Sequence, residues 1–224
     1  MAAYAPPSCG AEAARWFLER GFAVVLPVRR GYGATGGVMA ERNPACAPDR
    51  DYTVSALEAA RDITAAIDYA TALPGIAGQG VVVVGQSAGG LGAVALSSLG
   101  DPRVTALVSM AGGDGGHLNR VAHAVCQPDA LVRAAGRFGA TARRPMLWIY
   151  TENDSYFAPP LATAMRRAYV AAGGQARLVL LPAWGRDGHL LFSARGGSAV
   201  WGRPVAEFLG LKPALPAASM LAPR

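Results

Sequence analysis

Stretches in which apolar positions recur every three or four residues alternate along this chain with short runs of consecutive apolar residues. "CGAEAARWFLERG" follows the first pattern and ends at Gly21, while "FAVVLPV" follows the second, which predicts a helix and then a strand over 23–28. A Gly-rich loop, "RRGYGATGG", comes next. "YTVSALEAARDITAAIDYATAL" is the longest helical pattern, with Leu57, Ala60, Ile63, Ile67 and Ala70 on one face. Beyond it the pattern predicts strand 81–85, helix 88–98, strand 104–110, an irregular segment from 112 to 145, strand 146–150, helix 159–172, strand 177–181 and a last helix near 198–209. Strands this uniformly apolar are covered on both faces, and their alternation with helices predicts an α/β fold, a mostly parallel sheet flanked by helices. Residues 1–210 read as one domain, in which the Gly-rich segment 112–145 is expected to form a partial lid. The Pro- and Ala-rich tail 211–224, "LKPALPAASMLAPR", is expected to be flexible.

Composition narrows the classes. Of the 224 residues 52% are hydrophobic and 16% charged, which excludes a mainly disordered chain. The net charge of +6 does not make a nucleic-acid binder. The basic residues are scattered, Lys212 is the only lysine, and the pairs Arg29-Arg30, Arg143-Arg144 and Arg166-Arg167 lie far apart. Residues 69–100 carry no charged side chain, yet Pro74-Gly75, Gly78, Gly80, Gly85 and Gly89-Gly90 break the run. It reads as loop, strand, turn and helix, and no membrane partner is expected. "MAAYAPPSCG" lacks the features of a signal peptide, so the chain as given is expected in the cytoplasm, or in the periplasm or outside the cell if an upstream signal has been lost. Cys9, Cys46 and Cys126 have no metal-type spacing; a Cys46–Cys126 bridge and free buried thiols both remain open. No metal or cofactor is expected, since no ligand cluster is visible and "GATGG" lacks the dinucleotide fingerprint.

The candidate chemistry begins with "VVVVGQSAGGLG". Ser87 follows a buried strand and precedes a small-residue helix, within the spacing Gly85-x-Ser87-x-Gly89. In a strand-turn-helix unit such a serine is lifted above the carboxyl edge of the sheet, and its neighbours are expected to be small so that strand and helix can approach. The Ala88 N–H, at the start of the helix, would face an oxyanion on an attacked carbonyl.

A serine nucleophile needs a base held by a third group. Of three histidines, His117 and His189 follow predicted strands, and His123 reads as helical or loop-bound. His189 in "WGRDGHLLF" is favoured by chain order, because Asp154 in "LWIYTENDSYF" stands just beyond a strand between it and Ser87. Glu152 is the nearest rival for the acid, and Asp187 is a candidate for orienting the His189 loop.

Together "RRGYGATGG", "VVVVGQSAGG", "WIYTENDSYF" and "GRDGH" resemble the α/β-hydrolase superfamily, most of all its dienelactone hydrolase-like branch, and in style prolyl oligopeptidase-type catalytic domains. The resemblance runs over residues 10–209 and implies Ser87 as nucleophile, Asp154 as acid, His189 as base and Ala88 as an oxyanion donor. It implies a catalytic domain acting on a small-molecule carboxylic ester, with Tyr32 and Gln86 as candidates for substrate contacts. Dienelactone hydrolase itself uses cysteine, so the serine here points toward general ester hydrolysis. A peptidase of the prolyl oligopeptidase type, and an impaired hydrolase-like fragment or binding protein, are the alternatives. The family also has strands before 23–28, one strand between 23–28 and 81–85, and an HG-type turn supplying a second oxyanion donor. The sequence shows none of these, so the expected fold is N-terminally incomplete, with an edge that a homodimer would cover.

Overall fold

The computed structural model describes residues 10–39 and 46–211. Cys9 and, except for Leu211, the tail expected to be flexible lie outside the described residues.

Four strands, β1 (Val81–Gln86), β2 (Val104–Met110), β3 (Met146–Thr151) and β4 (Ala176–Leu181), form one parallel sheet in the order β1-β2-β3-β4. Their apolar runs follow from burial on both faces. In β3, Met146, Trp148 and Tyr150 face one helix layer while Leu147 and Ile149 face the other. Successive strands are joined by α3 (Ala88–Ser97), α4 (Pro128–Gly139) and α5 (Pro159–Ala171). Right-handed crossovers that step one way across a parallel sheet place their helices on one face. There α3, α4 and α5 share a core with α2 (Tyr52–Thr71), whose N-cap Asp51 accepts the Thr53 N–H. The opposite face is covered by α1 (Ala11–Leu18) and α6 (Ser198–Leu209) through Trp16, Phe17 and Trp201. The Glu12 carboxylate of α1 accepts hydrogen bonds from the Ser198 N–H and hydroxyl, so one helix caps the other.

Two sequence expectations are corrected. Residues 23–28 form no strand: the Phe22 N–H turns back to the Phe17 carbonyl, and among the described residues no backbone group of 23–28 bonds another. A strand exists only by pairing, and a groove of about 770 Å³, walled by Ile63, Ala66 and Ile67 of α2, separates this stretch from β1. The segment 112–145 is not irregular throughout, because 128–139 is α4. Its glycines read as loop signals, but Gly139 packs so closely on α5 that a Cβ would stand 2.1 Å from the Tyr169 carbonyl oxygen. Gly139 serves close helix contact. Residues 69–100 divide into the end of α2, a turn, β1 and α3, and among the described residues no helix is long and apolar enough to cross a membrane.

Cys46 and Cys126 are joined by a disulfide that closes a separation of 80 residues. Cross-linking so long a loop removes much of the denatured chain's freedom. Reduction is therefore expected to lower stability by about 2–4 kcal/mol, read as a shift in urea midpoint with and without reductant. An unmoved midpoint would show that the bridge does not constrain the denatured chain.

Candidate active site

The site sits at the carboxyl ends of the strands, where three loops meet. Ser87, between β1 and α3, has φ 55° and ψ −124°, a left-handed conformation that costs free energy for any residue with a side chain. Its backbone holds it there: the N–H donates to the Met110 carbonyl at 3.0 Å, and the carbonyl accepts from Leu91 at 3.0 Å and Gly113 at 3.1 Å. The turn needs a glycine before the serine, since a Cβ at Gly85 would lie 2.1 Å from the Gly89 carbonyl oxygen. The expectation that both flanking glycines are needed for close packing is corrected at Gly89, where a Cβ would meet nothing within 4 Å. Gly90 fills that role, with a Cβ position 2.7 Å from the Gly112 Cα. Accordingly Gly85→Ala is expected to cost about 3 kcal/mol or more, because backbone must move. Gly89→Ala is expected to be neutral or to stabilise by up to about 1 kcal/mol. Urea unfolding of the two variants checks the contrast, and equal losses would contradict it.

The Ser87 hydroxyl lies 3.1 Å from Nε2 of His189. His189 belongs to a short turn, Gly188–Leu190, between β4 and α6. Its Nδ1 faces Asp154, at 3.1 Å from Oδ1 and 3.3 Å from Oδ2. Asp154 is fully buried, and its Oδ1 also accepts the N–H groups of Tyr156 and Phe157, each at 2.9 Å. A carboxylate so fixed presents an acceptor to Nδ1, which places the imidazole proton on Nδ1 and leaves Nε2 free to accept from the serine. The negative field of Asp154, added to burial, pushes the neighbouring Tyr150 phenol far above its ordinary range; burial is the larger cause. The Ala88 N–H, first of α3, has no hydrogen-bond acceptor among the described residues, and the helix dipole adds positive potential at that end.

The other sequence candidates fall as follows. Glu152 is exposed, with its N–H on the Leu181 carbonyl. Gln86 donates from Nε2 to the His189 carbonyl at 2.7 Å and so braces the turn carrying the imidazole. Tyr32 stays in the loop after 23–28, with the Arg29 guanidinium 5.2 Å from its ring. His123 is exposed. The glycines of 112–116 admit aromatic rings: a Cβ at Gly113 would be 2.6 Å from Phe157, and one at Gly116 3.0 Å from Tyr156.

Sequence reasoning missed the residues that hold the loops together. Asn153 accepts the Trp184 N–H at 2.8 Å and donates to the Trp184 carbonyl at 3.1 Å, joining the loop after β3 to the loop after β4. Gly188 fits against β3 only without a side chain, since its Cβ would stand 1.7 Å from Thr151 Oγ1. Asp187, the candidate for orienting the His189 loop, accepts the His189 N–H at its Oδ1, at 3.0 Å. Burial pushes its carboxyl up, but the bonds from the Ser155 hydroxyl and from the His189 and Ser155 amides outweigh this and hold it below the usual range. The one signal in the sequence was the density of Asn, Asp and Ser in "TENDSYF", residues that bond to backbone in turns.

The chain matches, over residues 10–223, the model of a family described as the alpha/beta hydrolase family. Among solved structures, the Pyrococcus furiosus esterase Pf2001 is 14% identical with a TM-score of 0.63, over 92% of this chain and 77% of that one. A predicted CIB-like hydrolase from Thermoplasma acidophilum is 15% identical with a TM-score of 0.57, over 93% of this chain and 82% of that one. At such identities the likeness shows the fold. This chain spans 61% of the length of a candidate dienelactone hydrolase from Klebsiella pneumoniae subsp. pneumoniae, which it resembles over 67% of itself at 17% identity and a TM-score of 0.48. No curated protein matches the sequence.

Proposed function

Since the chain belongs to the alpha/beta hydrolase family, we propose that it is a serine hydrolase cleaving small carboxylic esters through an acyl-enzyme on Ser87. The observation that supports this reading is the unbroken hydrogen-bond path from the Ser87 hydroxyl through both ring nitrogens of His189 to the buried Asp154 carboxylate. Ser87 Oγ attacks the ester carbonyl while His189 Nε2 takes the hydroxyl proton. Asp154 keeps the imidazole in the right tautomer and stabilises the imidazolium. The Ala88 N–H receives the oxyanion, for which it pays little reorganisation because α3 already points it there. His189 then gives the proton to the departing alcohol. Water, deprotonated by the same nitrogen, attacks the acyl carbon, and collapse of that second intermediate frees the acid and restores the Ser87 hydroxyl.

The esterase among the structural neighbours supports ester rather than amide cleavage, and the serine in the place that dienelactone hydrolase gives to cysteine supports a general ester over a lactone. The test offers the protein p-nitrophenyl acetate and an aminoacyl p-nitroanilide in parallel, with peptide-mass analysis of samples acid-quenched early in the reaction and digested. Ester turnover with an acetyl group trapped on the Ser87 peptide is expected. Turnover of the anilide alone would replace the esterase reading with a peptidase, and no acylation of Ser87 by either compound would remove the serine-hydrolase reading.

A further inference from the structure

Beside the path just described lies a second one that the chemistry does not use. The Tyr156 ring is sandwiched between two imidazoles: His117 stacks on one face at 3.7 Å between centroids and 3° between planes, and His189 on the other at 4.1 Å and 26°. The outer imidazole is itself tethered. His117 Nε2 lies 2.7 Å from Ser155 Oγ, and Ser155 Oγ donates to Asp187 Oδ2 at 2.6 Å. The ionised Asp187 carboxylate only accepts, so the single hydroxyl proton of Ser155 goes to it. The Ser155 oxygen must then receive Nε2–H from His117. Proton positions are thereby set along Asp187, Ser155 and His117. Asp187 Oδ1 closes the frame by accepting the N–H groups of Ser155 at 3.1 Å and His189 at 3.0 Å.

We propose that His117 and Tyr156 are positioning residues for the His189 ring, a clamp whose outer jaw is oriented by Ser155 and Asp187. It rests on the assignment of His189 as base. Hydrogen bonds at Nδ1 and Nε2 restrain the imidazole in its plane but leave its tilt about the line between them soft. A ring stacked on its face removes that freedom, and the π face of Tyr156 also favours the imidazolium that forms as Ser87 loses its proton. The segment carrying His117 supports a dedicated role. His117, Asn119, Arg120 and His123 all have left-handed backbone angles, with φ of 57°, 54°, 64° and 63°, a run that costs free energy, most of all at Arg120, since Asn and His enter this region more readily. The clamp is anchored from three loops, so the tilt is over-determined.

The experiment measures kcat, KM and the rate of fluorophosphonate labelling of Ser87 for Tyr156→Leu, Tyr156→Phe, His117→Ala and His117→Phe, with p-nitrophenyl acetate as substrate. Loss of the ring should lower kcat by roughly 10–100-fold in Tyr156→Leu, as expected for a catalytic group left free to wander. Labelling should slow in proportion and KM should change little. Tyr156→Phe should restore most of the rate, since the stack and not the hydroxyl is used. His117→Phe should likewise exceed His117→Ala. Equal rates for the leucine and phenylalanine variants, or a raised KM with kcat held, would overturn the clamp. Should Tyr156→Leu fail to fold by circular dichroism, the His117 pair decides by the same comparison. A wild type that is active while all four variants match it refutes this inference alone. A wild type neither labelled nor active refutes it together with the function on which it rests.

Discussion

Replacing Ser87 with alanine is expected to lower ester turnover by on the order of 10⁶ in kcat while leaving the melting temperature nearly unchanged. Among the described residues the hydroxyl makes a single hydrogen bond, to His189 Nε2, and the residue's hold on the fold runs through its backbone bonds to Met110, Leu91 and Gly113. Alanine keeps all of those and tolerates the left-handed turn no worse than serine. Fluorophosphonate labelling and p-nitrophenyl acetate turnover, each compared with thermal unfolding, check the result. Turnover above a thousandth of the wild-type rate would mean that another group is the nucleophile.

The second large effect is expected at the acid. Asp154→Asn preserves the side chain's shape, and the asparagine oxygen still accepts the N–H groups of Tyr156 and Phe157. Its amide nitrogen then takes the place of Oδ2, 3.3 Å from Nδ1 of His189, and the negative charge beside the ring is lost. A donor there favours the imidazole with its proton on Nε2, which cannot accept from the Ser87 hydroxyl, and the imidazolium loses its counter-charge. The loss should be about 10⁴ in kcat, with KM little affected, because the tautomer matters to proton transfer and not to binding. Glu152→Gln, at an exposed position two residues away, should change kcat less than about twofold, as surface substitutions remote from a site do. Similar losses in the two variants would leave the acid unassigned between them.

The apolar runs of β1 to β4 and the strand-turn-helix around Ser87 were legible because their causes are local: side-chain period, burial on both faces, and a Cβ that does not fit at Gly85. Chain order and the resemblance favoured Asp154 over its nearest rival Glu152. What the sequence did not carry is the turn after β3 that buries the Asp154 side chain beside Nδ1 of His189 and leaves Glu152 exposed.

Everything that depends on a partner distant in the chain was decided by tertiary structure. "FAVVLPV" has the composition of a strand and is none, since its backbone faces a groove where a strand would face a neighbour. The glycines of α4 look like loop residues and are contact points, because α5 lies against them. Cys46 finds Cys126 across 80 residues. The stack of His117, Tyr156 and His189 draws on three separate loops. A sequence determines local conformation through the sterics and periodicity of adjacent residues. Hydrogen-bond pairing, ring stacking and close helix approach act through space, between residues whose separation along the chain carries no trace of the contact.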